Sequence, residues 1–132
     1  MRRLLALLAL VGAMGMLPAS AALAQETVTA QIAKKAFLVD DGQAVLVTVT
    51  VTCASGSEVL EAFVYVVQDG NMSQFAGVPA VCDGLAHTFQ VRVSALDTPF
   101  HPGRATASGF VLVTTATGTA STSPTAGIRI RP

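Results

Sequence analysis

The sequence predicts an all-β domain, and three observations carry that expectation. β-branched residues dominate the chain: beyond residue 24 there are 16 Val, 14 Thr and 3 Ile against 6 Leu. Such side chains are stiff at χ1 and suit a pleated surface better than a helix. The clearest periodicity is strict alternation from Val45 to Cys53. Val45, Val47, Val49, Val51 and Cys53 fall on one face there, and Thr48, Thr50 and Thr52 on the other. Finally, short apolar segments follow one another between Gly, Pro and Asp, and no segment sustains a 3.6-residue period. Six or seven short antiparallel strands in about 108 residues read as an immunoglobulin-like sandwich with one disulfide. A barrel is the alternative closure.

The first 24 of the 132 residues have a different character. Arg2 and Arg3 precede an apolar run of 14 residues, Leu4 to Leu17, and Ala22-Leu23-Ala24 is an A-x-A cleavage site. This is the pattern of a cleaved helical signal peptide over 1–24, with the mature domain at 25–132. The run is shorter than the roughly 20 residues of a membrane span, and no Cys near the cleavage site offers a lipid anchor. The expected product is secreted, without a membrane span. Loss of Arg2 and Arg3 leaves six basic and eight acidic residues, a net charge of −2. That balance gives no overall electrostatic reason to bind nucleic acid or anionic membrane.

Along the mature chain, Thr27 to Ala33 is the expected first strand, with Val28 and Ile32 on one face. Asp40-Asp41-Gly42 is a turn, because Asp and Gly tolerate positive φ. The Val/Thr strand follows, and Ala54-Ser55-Gly56-Ser57 turns the chain into a third strand, Glu58 to Gln68. That strand is apolar nearly throughout after Glu61, which suits a central position. Asp69-Gly70-Asn71 breaks it, and residues 71–81, with Pro79, form a looser segment with edge-strand character. Asp83-Gly84 leads into His87 to Ala95. Pro99 and Pro102-Gly103 bracket a bend at Phe100. Arg104 to Thr115 and Ala126 to Arg131 complete the set, with a polar loop or hairpin over 114–127.

Cys53 and Cys82 both survive signal cleavage. In an exported domain, an even pair is most simply one disulfide. Cys53 ends the second expected strand and Cys82 precedes the fifth. Those two strands are antiparallel neighbours in a constant-type sandwich, so the spacing fits a bridge at a sheet end. Closing a loop of about 30 residues is worth roughly 3–4 kcal/mol by chain-entropy arguments.

A resemblance spans most of the mature chain. It runs from the Val/Thr strand ending in Cys53, through Gln68, to Cys82-Asp83-Gly84 with His87, then Phe100-x-Pro102-Gly103-x-Ala105. This pattern resembles a family of small secreted bacterial β-sandwich domains of unknown function, which implies no catalytic residues. The chain is also faintly similar to neocarzinostatin-type apoproteins, immunoglobulin-like domains that carry a small aromatic ligand. That likeness implies a ligand cleft, for which Phe75, Phe100 and Phe110 are the candidate lining. Those proteins have two disulfides, whereas this chain can form one.

Little chemistry is concentrated anywhere. His87 and His101 are the only histidines, with Asp83 and Asp97 nearby and no metal-ligand spacing between them, so no metal site or cofactor is expected. No G-x-S-x-G elbow marks a nucleophile. Glu58 and Glu61, three apart on a strand, fall on opposite faces and cannot act as a pair. Asn71-Met72-Ser73 matches a glycosylation sequon, a weak signal. The third strand poses the sharpest question, since Phe63, Tyr65 and Val67 share one face and Ala62, Val64 and Val66 the other. Burial of both faces is the simpler expectation, while an outward aromatic face would offer a partner surface. The expected function is a non-enzymatic structural or protein-interaction module, meeting an unknown protein or surface partner through loops 69–81 and 96–103. A small-ligand carrier is the alternative.

Overall fold

The computed structural model of the chain describes residues 27–132, so the expected signal peptide over 1–24 lies outside the described residues. Strand β1 covers Val28–Val39 and β2 covers Ala44–Cys53, joined by a 3-10 turn at Asp40–Gly42. Then come β3 (Glu58–Gln68), β4 (Asn71–Met72), β5 (Ala76–Gly77) and β6 (Ala86–Ser94). The last three are β7 (Gly103–Thr115), β8 (Gly118–Thr122) and β9 (Thr125–Arg131). The described chain is all-β and holds no α-helix. Among the described residues no helix is long and apolar enough to cross a membrane.

These strands form one hydrogen-bonded ladder in the order β4-β3-β7-β9-β1-β2-β6, with β5 added to β3 and β8 to β7. The sheet curls into a half-barrel. Two details correct the expectation of six or seven antiparallel strands. Nine are present among the described residues, because the looser segment 71–81 supplies two short strands, β4 and β5, paired to β3, and the polar segment β8 takes its pairing from β7 rather than from any alternation of its own. The pair β1–β9 is parallel. β9 runs antiparallel to β7, and that direction coincides with the direction of β1.

β1 also continues six residues past the expected end at Ala33. Ile32 faces Val49 and Ala36 faces Val47, so β1 carries two more residues than β2 over this interval. The bulge admits Lys34 and Lys35 to solvent and still returns Ala36 to the interior. β3 lies next to an edge rather than at the centre, flanked by β7 on one side and only by two-residue strands on the other. A second bulge lies in β3. Val59 faces Val113 and Glu61 faces Leu112, leaving Leu60 unpaired. That extra residue shifts the phase, so Glu58 and Glu61 share the outer face, contrary to the simple period-2 expectation.

The inner face is built from valine and isoleucine. Val45, Val47, Val49 and Val51 of β2 are buried as expected, with Thr48, Thr50 and Thr52 half-buried on the opposite face. Val64 and Val66, Val111 and Val113, and Ile128 and Ile130 complete the same core, with Phe100 as its one buried aromatic ring. The open side of the half-barrel is bridged by residues 73–78. Ser73 N–H donates to the Val66 carbonyl at 2.8 Å and Val78 N–H to that of Ala62 at 3.0 Å. Gln74 N–H donates across the gap to the Ser94 carbonyl at 3.0 Å. This segment thereby ties the β3 edge to the end of β6.

Candidate recognition surface

The disulfide joins Cys53 to Cys82, with Cα atoms 4.7 Å apart. β2 and β6 are antiparallel neighbours, Thr52 facing Ala86, so the last residue of one strand meets the chain entering the other. Gly84 N–H donates to the Cys53 carbonyl at 2.9 Å and tightens the same corner. The bridge closes one end of the sheet and offers no free thiol.

Each histidine has an aspartate partner: His87 has Asp83, expected nearby, and His101 has Asp69, 32 residues away in sequence. His87 Nε2 lies 2.7 Å from Asp83 Oδ2 at the β6 entry, and Asp83 also accepts Leu85 N–H at 2.9 Å. The Leu85 amide first, and the His87 ring second, hold the Asp83 carboxyl below its ordinary range. His101 Nε2 lies 2.6 Å from Asp69 Oδ2, while its Nδ1 lies 3.1 Å from the Pro102 carbonyl oxygen. Both ring nitrogens thus face acceptors, an arrangement that only the doubly protonated imidazolium satisfies. The Asp69 carboxylate, then the Pro102 carbonyl, raise the His101 pKa above its usual value. Asp97, the other acid expected near the histidines, pairs with neither. Both Asp–His pairs are solvent-exposed and lie at different corners. Among the described residues no three His, Cys, Asp or Glu side chains gather where they could hold a metal ion.

The two loops expected to carry recognition are fastened together. Gln68, the last residue of β3, is buried and reaches under the 99–103 bend. Its Nε2 donates to the His101 carbonyl at 2.9 Å and its Oε1 accepts His101 N–H at 3.1 Å. Together with Asp69–His101 this pins loop 96–103 to the start of loop 69–81. Asn71, the sequon residue, is exposed at the tip.

The outer face of β3 resolves the question left by its sequence. Val64 and Val66 point into the core, and Phe63, Tyr65 and Val67 point outward. Register places Phe63 opposite Phe110 and Tyr65 opposite Ser108. Phe75, from the bridging segment, lies over this face. Its ring is 5.1 Å from Phe63 and 5.1 Å from Tyr65, edge-on to the latter, while Phe63 is 5.8 Å from Phe110. Four of the seven aromatic side chains in the sequence therefore form one cluster on the outside of the sheet. Phe75 is 62% exposed and nearby Met72, paired with Val67, is 48% exposed. Glu61, opposite Leu112, and Glu58, opposite Thr114, continue this face toward the start of β3.

Phe75, Phe100 and Phe110 do not line one cleft. Phe75 and Phe110 both touch Phe63 outside the sheet, and Phe100 is enclosed in the core on the other side. Sequence reasoning singled out the Phe63/Tyr65 face but missed that Phe75 and Phe110 join it. The cross-strand register that brings Phe110 opposite Phe63 has no short-range signature. No protein-family model matches the chain, and no curated protein is detectably similar to it in sequence.

Proposed function

We propose that this chain is an exported, non-enzymatic recognition module of immunoglobulin-like sandwich type, which meets a partner protein through the outer face of β3 and β7. One observation carries the reading: the core is filled by aliphatic side chains, while Phe63, Tyr65, Phe75 and Phe110 are gathered outside it. Phe75 and Met72 are exposed above half-buried Phe63, Tyr65 and Phe110, and such a contiguous aromatic and Met group has the composition of an interface centre. Phe75 is its natural anchor, being the most exposed of the four. The partner this face fits is apolar at its centre, with cations at the rim to meet Glu58 and Glu61.

What supports the sandwich reading is the bulge in β1, which bends that strand between its pairings with β2 and β9. A disulfide fits an oxidising compartment, in keeping with export.

The test is affinity capture from the native culture with the exported protein and with Phe75→Ser/Met72→Ser as matched baits, followed by binding measurements on the captured partner. Loss of an interface anchor of this kind should weaken binding about 30-fold. Equal binding by both baits overturns the proposal. So does concentration-dependent self-association that Phe75→Ser abolishes, which would assign the face to a second copy.

A further inference from the structure

The small net charge conceals a segregation of charge. Six basic residues lie among the described residues, and five of them, Lys34, Lys35, Arg104, Arg129 and Arg131, belong to β1, β7 and β9. None of the five forms an ion pair with a described residue. Three stand in one row: Arg104 faces Arg129 across β7–β9, and Arg129 faces Lys35 across β9–β1. Like charges directly opposite one another destabilise a sheet, yet three consecutive strands each contribute one here. In the adjoining row Arg131 faces Phe37, Phe37 faces Leu46, and Leu46 faces Arg92. Both rows point outward, since Ala36, Ile130, Val47 and Val91 are buried on the inner face. Phe37 is 42% exposed and Leu46 beside it half-buried. An apolar centre thus has cations on three sides: Arg131, Arg92 and Lys35. Of the neighbouring carboxylates, Asp69 is engaged by His101 and Asp40 by Arg92, while Asp41 lies in the turn beyond Phe37.

We infer that the outer face of β7, β9, β1 and β2 docks on an anionic phospholipid bilayer, with Arg104, Arg129 and Lys35 on headgroup phosphates and Phe37 in the interface. Cations around an exposed aromatic side chain are the composition of a contact that lies on a membrane without spanning it. Each Lys or Arg held near such a surface strengthens attachment about fivefold. The attraction acts within a Debye length of about 8 Å, so the local cations decide it and the net charge does not. A shallow trough of about 680 Å³ beside Lys34, Arg104 and Arg129 gives a headgroup room. A bilayer suits these residues better than an acidic peptide does. Cations on adjacent strands sit about 4.8 Å apart, whereas carboxylates on one face of an extended peptide recur about every 6.6 Å. Lipid headgroups diffuse laterally and need match no spacing. Only the bilayer also offers Phe37 an apolar medium.

The surface is distinct from the Phe75 cluster, so the two can fail separately. The experiment is co-sedimentation of the disulfide-bonded exported protein with vesicles of equal parts phosphatidylglycerol and phosphatidylcholine at low salt. Vesicles of phosphatidylcholine alone are the comparison. The protein should sediment with the anionic vesicles and stay in solution with the neutral ones. Arg104→Gln/Arg129→Gln should weaken binding about 30-fold, and Phe37→Ser about tenfold. Phe75→Ser should leave it unchanged. Because the arginine double variant removes like-charge repulsion, its melting midpoint should equal or exceed that of the parent. Inorganic phosphate and poly-glutamate, added as competitors, should release no more protein than sodium chloride of equal ionic strength. Absence of binding, equal binding to neutral vesicles, or binding unaffected by either variant overturns the assignment. So does weaker binding by Phe75→Ser, a lowered midpoint in the double variant, or release by phosphate or poly-glutamate beyond the salt control.

Discussion

Gly42 sits directly against the backbone of Phe100. A Cβ built at Gly42 would lie 2.5 Å from the Phe100 carbonyl oxygen, and Phe100 N–H donates to the Gly42 carbonyl at 2.8 Å. Gly42 also has φ +87°, a conformation that side chains rarely adopt. The turn between β1 and β2 thereby seats the one aromatic ring buried in the core. Gly42→Ala combines backbone strain with a clash that no flexible side chain can relieve. It should cost roughly 2–4 kcal/mol, read as a lowered urea midpoint with an unchanged slope. A midpoint equal to the parent's would show that this close approach does not exist.

Gln68 is 4% exposed and pairs with both backbone groups of His101 as a neighbouring strand would. Gln68→Leu keeps the volume but leaves the His101 N–H and carbonyl without these partners. The expected cost is about 1–3 kcal/mol, together with faster hydrogen exchange at the His101 amide. Unaltered exchange there would mean that the 99–103 bend is held by something else.

The His101–Asp69 latch has a definite pH sense. The folded state raises the His101 pKa above the ordinary 6.5. The contribution to stability is therefore complete below that ordinary value and is lost as pH rises through the folded one. In an NMR titration of the ring protons, Asp69→Asn should bring the His101 midpoint back down toward the ordinary value. The same midpoint in both proteins would show the pair to be unformed in solution.

Removing the bridge as Cys53→Ala/Cys82→Ala should destabilise the domain by about 2–5 kcal/mol. Alkylation mass spectrometry of the exported parent should find no free thiol. A reactive thiol in freshly exported protein contradicts the pairing of these two residues.

Val49 is 2% exposed, whereas Thr50 lies half-buried on the outer face, its hydroxyl 2.9 Å from that of Thr88. Val49→Asp places an unpaired charge in the core and should prevent folding. Thr50→Asp should stay folded, with a loss of about 1 kcal/mol from the broken hydroxyl pair. Circular dichroism of the two variants separates the outcomes, and equal damage would place both faces of β2 in the interior.

How far the sequence shows all this depends on the residue. β2 is legible because its two faces differ in chemistry, Val on one and Thr on the other. β3 is not, because both of its faces are apolar and only the cross-strand register shows which one is inward. Glu58 and Glu61 are misread by period 2 because the bulge at Leu60 has no local signature. β8 carries Gly118-Thr119-Ala120-Ser121-Thr122, which has no apolar alternation, and its strand conformation comes from the β7 ladder. The disulfide was readable from count and spacing alone. The Asp69–His101 pair, 32 residues apart, was not. The basic row is invisible to net charge, since it exists only once β7, β9 and β1 lie side by side.

The parallel pairing of β1 and β9 has a mechanical consequence. The first and last strands point the same way, so the start of β1 and the end of β9 emerge at opposite ends of the sheet. Force applied outward at those two points slides the strands along each other instead of peeling them apart. The register pairs Lys35–Arg129, Ala36–Ile130 and Phe37–Arg131 are then loaded together rather than one at a time. Pulled at those two points, the domain would bear tension in shear.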